Sequence, residues 1–315
     1  MKPEYFLGID TSNYTTSAAL VDGLGRVVAN CKRPLPVKAG ECGLRQSDAV
    51  FSHIKNLPSL MEEVRSYLGS ATLAAVGVSE APRRAEGSYM PCFLAGVAAA
   101  EAASAAAGVP LYRFSHQCGH IAAAILSSGR SDLFEAPFGA FHVSGGTTEV
   151  VRVSSFSEEG FSVELLGGTA DLNAGQLIDR VGVMLGLSFP AGPALEALAE
   201  ACTVRVPKPH PTVRGLTANL SGAENQARKL WEETENAPLT AAFVLDYIAR
   251  ALSDLTVALI EKYGNMPILY AGGVMCNRRI RARLSPLGDT AFAEPLFSAD
   301  NAAGIALLCR KRHGE

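Results

Sequence analysis

The sequence predicts an α/β protein with two lobes, each built around a mixed β-sheet. A strand–turn–strand–strand unit begins at Phe6 and recurs at Phe138, and helical segments follow each copy. The chain has 315 residues, and single cores usually split into domains beyond roughly 250–300 residues. Mixed sheets with helices on both faces are the natural packing for this order of elements.

The first lobe is predicted over residues 1–130. A strand from Phe6 enters a turn of small, hydroxyl-bearing residues at Asp10 to Thr16. The later segments are strands over 15–21 and 25–31, a helix over 47–68 with apolar residues at helical spacing, and a buried helix followed by a strand over 92–111. His116 then begins another helix.

The second lobe is predicted over residues 131–315, with the final helix able to pack back on the first lobe. Its strands are predicted over 138–143, 149–153, 161–166 and 267–271. Its helices are predicted over 172–185, 220–231, 241–263, 274–284 and 301–310.

Composition excludes several classes of protein. A net charge of −3 does not indicate a general affinity for nucleic acid, so any RNA contact must come from local basic clusters. Seven cysteines, an odd number without a Cys-x-x-Cys pair, fit free thiols in a reducing cytosol. The sequence start lacks a hydrophobic signal core, and Glu101 and Pro110 interrupt the most apolar stretch. We therefore expect a cytoplasmic protein without a membrane segment.

Three glycine-containing turns predict a nucleotide site. Asp10 to Thr16 and Ser144 to Thr148 can each aim several backbone N–H groups at one anion, and Gly272-Gly273 opens a helix. Each turn alone is typical of an ordinary hairpin, whereas the repeated pair with a third glycine step favours nucleotide binding. The pattern is neither a Rossmann nor a P-loop motif.

A histidine pair predicts a metal site. His116 and His120 lie four residues apart on one helix face, a spacing that lets two imidazoles share one ion. Asp300 is a candidate third ligand, although it could also cap the following helix. His142 could add a fourth ligand or lie in the core. An isolated pair at this spacing is also typical of hydrogen-bonded histidines, and Cys118 at the second position points to another side.

Together these segments resemble the universal tRNA threonylcarbamoyladenosine synthase family, once described as glycoprotein endopeptidases. The resemblance covers nearly the whole chain. The motifs are Gly8-Ile9-Asp10-Thr11-Ser12; His116-x-x-Gly119-His120; Val143-Ser144-Gly145-Gly146-Thr147-Thr148; Ala174-Gly175-x-x-x-Asp179; Leu185-Gly186-Leu187-x-x-Pro190-x-Gly192-Pro193; Leu220-Ser221-Gly222; Ala271-Gly272-Gly273-Val274-x-x-Asn277-Arg278; and Asp300-Asn301.

The resemblance implies the two-lobed, actin-like ATPase fold of sugar kinases, actin and Hsp70, with a cleft between the lobes. It implies one divalent metal ion, iron or zinc, held by His116, His120 and Asp300. It implies transfer of a threonylcarbamoyl group from threonylcarbamoyl-AMP to adenosine next to the anticodon of tRNA, with partner proteins of that pathway. No residue is assigned as catalytic. Binding of ATP or threonylcarbamoyl-AMP is predicted for Asp10, His142, Val143, Ser144, Gly145, Gly146, Asp179, Gly192, Gly272, Gly273 and Asn277.

Departures from the family motifs leave alternatives open. Tyr14 and Thr15 replace two acidic residues, Cys118 replaces a glutamate, Thr147 replaces a histidine or asparagine, and Glu224 replaces a lysine. A catalytically altered paralogue that binds nucleotide and metal as a regulatory or assembly partner is the main alternative. A weaker one is carbamoyl or phosphoryl transfer to a small molecule.

Basic clusters give a limited signal for tRNA. Four arginines, at positions 278, 279, 281 and 283, fall on one short predicted helix, and residues 310–312 form a second cluster. Such clusters can contact phosphates, but they are equally typical of solvated helix faces.

Overall fold

The computed structural model describes residues 3–12, 14–36, 44–158, 160–294 and 302–314. The chain divides into two compact units. The first comprises the described residues of Met1–Gly129, Phe156–Ser162 and Leu296–Glu315, and the second comprises those of Arg130–Ser155 and Val163–Pro295. None of the described helices combines the length and the apolar character that a membrane crossing requires.

The described residues form strands and helices in alternating groups. The strands are β1 (Glu4–Asp10), β2 (Thr15–Asp22), β3 (Val27–Pro34), β4 (Thr72–Ala81), β5 (Leu111–Ser115), β6 (Phe138–Val143), β7 (Thr148–Val153), β8 (Val163–Thr169), β9 (Thr212–Arg214), β10 (Thr217–Asn219), β11 (Ile268–Ala271) and β12 (Thr290–Phe292). The α-helices are α1 (Gln46–Leu68), α2 (Phe93–Ala107), α3 (His116–Ser128), α4 (Ala174–Met184), α5 (Gly192–Glu200), α6 (Ser221–Thr234), α7 (Ala237–Tyr263), α8 (Arg278–Leu284) and α9 (Ala303–His313).

The first unit is built on a five-stranded sheet in the order β3-β2-β1-β4-β5. Strands β1 to β3 form an antiparallel meander, and β4 and β5 extend the sheet in parallel from β1. Helices α1 and α2 pack on this sheet through buried residues such as Leu60, Val64 and Ala100. The carboxyl ends of β1 and β4 therefore lie side by side, which places Asp10 next to Ser79.

Helix α9 belongs to the first unit, where it packs against β1, β4 and α3. Its residues 303–309 are all buried. A Cβ built on Gly8 of β1 would lie 2.4 Å from the amide nitrogen of Ala306, and one built on Gly304 would lie 1.8 Å from the carbonyl oxygen of Gly119. Glycine at these positions allows the backbones to approach more closely than any side chain would permit.

The second unit is built on a seven-stranded sheet in the order β12-β11-β6-β7-β8-β10-β9. Strands β6 to β8 repeat the antiparallel meander of the first unit, and β11 pairs in parallel with β6 as β4 does with β1. The long helix α7 supplies much of the core, and the ring of Tyr270 stacks between Phe141 and Phe292. The repeated unit seen in the sequence is therefore a repeated sheet topology.

The structure corrects the predicted elements in several places. The helix predicted over 274–284 is a 3-10 turn over Gly273–Cys276 followed by α8, because the side chain of Asn277 accepts a hydrogen bond from the amide of Ile280 and starts a new helix. The strand predicted from Phe161 begins at Val163. Strands β4, β9, β10 and β12 and helix α5 were not predicted, since they are short or lack a clear apolar period.

Candidate functional site

The histidine pair lies at the start of α3 in the first unit. The hydroxyl of Ser115 accepts a hydrogen bond from the amide of Cys118 and caps the helix, so His116 occupies its first turn. The Nε2 atoms of His116 and His120 lie 2.8 Å apart, and both side chains are half-buried. One helical turn thus brings two imidazole nitrogens to a single point.

Asp10 holds the first histidine of this pair. Its Oδ2 lies 2.6 Å from Nδ1 of His116, its Oδ1 accepts from the amide of Ser12 at 2.7 Å, and its side chain is 1% exposed. Burial acts to raise the pKa of Asp10, but the charge and hydrogen bond of His116 outweigh it and hold the pKa below its usual value. The ionised carboxylate can only accept, so Nδ1 of His116 donates and Nε2 faces His120.

Sequence patterns associated Asp10 with the nucleotide, whereas the structure brings it to the histidine pair. Both carboxylate oxygens are engaged inside the first unit. The signal that could have indicated this contact is a lone acid at the end of a buried strand, because such an acid requires a partner.

Several buried polar atoms of the first unit are unpaired. Among the described residues, four buried side-chain atoms have no hydrogen-bond partner, namely Ser12 Oγ, Asn30 Oδ1, His53 Nε2 and Ser79 Oγ. Nδ1 of His53 lies 2.9 Å from the hydroxyl of Thr16, and burial lowers the pKa of His53. Each unpaired buried polar group costs about 1–3 kcal/mol, so two of them beside Asp10, on Ser12 and His53, are typical of a functional site. Sequence reasoning missed His53, which lies on the buried face of α1.

The donor set at the histidine pair fits a transition metal. Two imidazole nitrogens converge, and a carboxylate binds the far nitrogen of one ring, which is the usual support for a metal-bound histidine. Asp300, the predicted third ligand, lies outside the described residues. Within the described ranges, no three histidine, cysteine, aspartate or glutamate side chains form a complete metal-binding group. Cys118 is buried, and its thiol contacts the carbonyl oxygen of Phe161.

The glycine loop of the second unit joins β6 to β7. The amide of Ser144 donates to the carbonyl oxygen of Thr147 at 2.7 Å and closes the turn. Helix α4 begins against this loop, because the amide of Gly175 donates to the carbonyl of Ser144 and the side chain of Asn173 donates to that of Gly146. His142 is exposed on β6, whereas the side chain of Val143 is buried, so only its backbone is available to a ligand.

The glycines around this loop fall into two groups. A Cβ on Gly175 would lie 2.6 Å from Cα of Gly145, and a Cβ on Gly272 would lie 2.3 Å from the carbonyl oxygen of Val143, so packing requires glycine at both. A Cβ on Gly145, Gly146 or Gly273 would meet nothing within 4 Å, and none of the three has a left-handed backbone. The loop backbone at these three positions is therefore open to close approach by a ligand.

The remaining predicted ligands shape the same unit. Asp179 Oδ1 accepts from the amide of Ala191 at 2.8 Å and fixes the turn before α5, which Gly192 begins. The side chain of Asn277 is buried and caps α8. Asp179 also lines an open hollow of about 550 Å³, beside the ring of Phe189, which is 75% exposed.

Glu224 also lines this hollow, and its charge is balanced. Its carboxylate lies 3.1 Å from the guanidinium of Arg180 and 3.8 Å from that of Arg228. The sequence suggested that this glutamate would repel phosphates. Two arginines beside it reduce that repulsion, because they compensate the negative charge locally.

Most of the arginines on α8 are engaged in ion pairs. Arg278 pairs with Glu200 at 2.7 Å, and Arg281 pairs with Glu294 at 3.0 Å. Arg279 binds the carboxylate of Asp246 through two nitrogens. The free positive charge on this helix is therefore smaller than the sequence suggests.

Comparison with solved structures shows the fold. The HypF protein of T. kodakarensis matches with a TM-score of 0.60 at 14% identity, over 98% of this chain and 47% of that one. A transcriptional regulator of the ROK family, a homologue of the E. coli MLC protein, matches with a TM-score of 0.55 at 14% identity, over 98% of this chain and 78% of that one. The chain has the actin-like ATPase fold, as predicted.

Comparison with known sequences shows the family. The family model for tRNA N6-adenosine threonylcarbamoyltransferase matches residues 41–307. The protein of that name from Thermus thermophilus is 32% identical over 99% of this chain and 93% of its own length. The one from Agrobacterium fabrum is 32% identical over 98% of this chain and 89% of its own length. This chain therefore belongs to the tRNA N6-adenosine threonylcarbamoyltransferase family.

Proposed function

We propose that this chain transfers a threonylcarbamoyl group from threonylcarbamoyl-AMP to the adenosine next to the anticodon of tRNA. The single observation that carries the proposal is the convergence of the His116 and His120 Nε2 atoms, with Asp10 behind His116. The family match supplies the reaction class, because the relatives' names describe an acyl transfer to adenosine in tRNA.

One divalent metal ion, iron or zinc, is part of this proposal. His116 and His120 would hold it, with Asp300 as a third ligand. When bound, such a metal would polarise the carbamoyl carbonyl and stabilise charge that develops on its oxygen. Asp10 keeps the proton on Nδ1 of His116, so that the lone pair of Nε2 remains available as a ligand.

The second unit binds the nucleotide portion in this proposal. Amides of the loop from Gly145 to Thr147 bind phosphate oxygens, and Gly145 and Gly146 allow the phosphates to approach the backbone. The hollow beside Asp179 and Phe189 accepts the nucleoside, with the exposed aromatic ring available to stack on a base. These contacts would hold the AMP leaving group during transfer.

The proposed setting is the cytoplasm, where unmodified tRNA and the other proteins of the pathway would be present. We expect the isolated chain to act slowly, because Tyr14 and Thr15 replace two acidic residues of the family motifs and Thr147 replaces a histidine or asparagine. Partner proteins would then raise the rate by completing the binding of tRNA.

The test is transfer from preformed threonylcarbamoyl-AMP to unmodified tRNA, followed by nucleoside analysis. The wild-type chain is assayed with iron or zinc, with and without partner proteins from the same cells. We expect threonylcarbamoyladenosine to form, and His116→Ala to abolish both metal retention and transfer. Gln117→Ala, on the same helix, is the control and should retain both. Absence of product with metal and partners present, or full activity of His116→Ala, would overturn the proposal.

A catalytically altered paralogue is the second candidate. Tyr14 favours it, since a 43% exposed aromatic ring stands where the family motif has an acid. This candidate predicts that the chain binds nucleotide and metal without transferring the group. It also predicts that cells lacking the gene keep the modified nucleoside, provided that a second family member is present.

A further inference from the structure

Two acid-free segments of the second unit supply positive charge to one surface. Residues 201–223 contain Arg205, Lys208 and Arg214 and no aspartate or glutamate. Residues 274–288 contain four arginines and again no acid. Lys208 from one segment and Arg283 from the other are 75 residues apart in sequence, yet they line the same hollow, with a volume of about 250 Å³.

The charges around this hollow do not cancel. Asp246 lines it, but Arg279 binds that carboxylate at 2.6 and 2.8 Å. Among the residues that the structure describes, no carboxylate lies within ion-pair distance of Lys208 or Arg283. These two side chains, both exposed, therefore supply an excess of positive charge.

Arg250 is a further basic side chain that lines the hollow. Its guanidinium binds the carboxylate of Asp254 at 2.9 Å, which fixes the side chain on α7 without adding net charge. A guanidinium held in this way keeps further N–H groups for an oxygen acceptor.

The loop that carries Lys208 is stiff. Proline occupies positions 207, 209 and 211, and Pro207 and Pro209 line the hollow on either side of the lysine. Proline fixes the φ angle, so little backbone entropy remains to be lost when a ligand binds. Lys208 is thus presented by a preformed loop.

We infer that this hollow is a contact site for the phosphate backbone of RNA. Cations from separate segments suit neighbouring phosphates, and the described lining has no aromatic ring on which a base could stack. Such a contact positions the RNA and does not read its sequence. The inference rests on the proposed function, in which the RNA is tRNA, and it assigns part of the tRNA contact to the second unit.

The experiment measures tRNA binding by the full chain as a function of salt concentration. For the double variant Lys208→Ala/Arg283→Ala, we expect the slope of log Kd against log salt concentration to fall by about 1 per cation removed. Affinity at physiological salt should fall at least about tenfold. The control is Lys229→Ala/Lys262→Ala, which removes the same charge from other helices of the unit and should leave the slope unchanged. Both variants should unfold at the wild-type temperature, because all four substituted side chains are exposed.

Three results would overturn the inference, and they separate it from the proposed function. A wild-type chain that does not bind tRNA, with or without partners, would refute both. Normal tRNA binding with an unchanged slope in the double variant would refute the inference alone. Stabilisation of the wild type by inorganic phosphate, lost in the double variant while tRNA binding is unaffected, would assign the hollow to a small anion instead.

Discussion

At the scale of single residues, the main result is the contact between Asp10 and His116. A carboxylate at the end of β1 meets the first histidine of α3, and the second histidine meets the opposite nitrogen of the same ring. The carboxylate orients the ring and sets which nitrogen carries the proton. The position of the His116 ring therefore depends on both the end of β1 and the first turn of α3.

The prediction at this scale concerns Asp10→Asn. The amide can still accept from Nδ1 of His116, but it lacks the negative charge that makes the ring a better ligand. We expect zinc or iron affinity to fall about 10- to 100-fold, the usual effect of losing such a partner. Competition with a chelator measures the affinity, and the ¹⁵N shifts of His116 report its tautomer.

Asp22→Asn is the matched control for this experiment. Asp22 lies at the far end of β2 and binds only Arg26 and nearby amides in its turn. Its loss should leave metal affinity unchanged. Equal affinities of wild type and Asp10→Asn would show that Asp10 does not support the metal site.

At the scale of elements, the glycines in and around the loop between β6 and β7 are of two kinds: those that close packing requires and those that it does not. Gly175 and Gly272 allow α4 and β11 to approach the loop, so they serve the fold. A Cβ on Gly145 would meet no atom within 4 Å, and the backbone there is not left-handed, so the fold does not require glycine at this position. Substitution should therefore destabilise the fold at Gly175 and Gly272 but not at Gly145.

The prediction at this scale concerns Gly145→Val. We expect the melting temperature without ligand to stay at the wild-type value, because the new side chain meets no protein atom near its Cβ. Saturating ATP should raise the melting temperature of the wild type, because a ligand that binds the native state stabilises it. The melting temperature of the variant should not change, because the valine side chain would keep ATP from the loop. Calorimetry with metal present measures both values.

Two further substitutions are controls for this experiment. Gly23→Val, at another open glycine that lies in the first unit, should keep the full response to ATP. Gly175→Ala should lower the melting temperature even without ligand, because its Cβ would overlap the loop backbone. A Gly145→Val variant that responds to ATP as the wild type does would remove the loop from the nucleotide site.

At the scale of the whole molecule, the chain returns to its first unit after completing the second. Helix α9 packs on β1, β4 and α3, and its Gly304 meets the backbone of Gly119, which lies between His116 and His120 in α3. The position of the histidine pair therefore depends on a helix almost 190 residues later in the chain.

The prediction at this scale concerns Gly304→Ala. Its Cβ would overlap the carbonyl oxygen of Gly119, so α3 or α9 must shift at a cost of about 1–3 kcal/mol. We expect a lower melting temperature together with weaker metal binding, measured by thermal unfolding and by metal titration. Gly314→Ala, at the residue that follows the same helix, is the control, because its Cβ would make only ordinary contacts. Unchanged metal affinity in a destabilised Gly304→Ala variant would show that the packing of α9 does not position the histidines.

The sequence by itself determined the features that depend on neighbouring residues. The repeated meander, the turn at Ser144 to Thr148 and the helical spacing of His116 and His120 follow from apolar periods and turn residues within short windows. The family motifs are a further signal in the sequence, because they occur in the same order as in the family. The structure contains these features because each depends only on the geometry of a short segment.

Only the tertiary structure decided which distant residues meet. The partner of His116 is 106 positions away in Asp10, and Glu224 is balanced by Arg180 from another helix. Lys208 and Arg283 likewise share a hollow although their segments are far apart in sequence. Contacts of this kind leave no period in the sequence, because sheet order and helix packing create them.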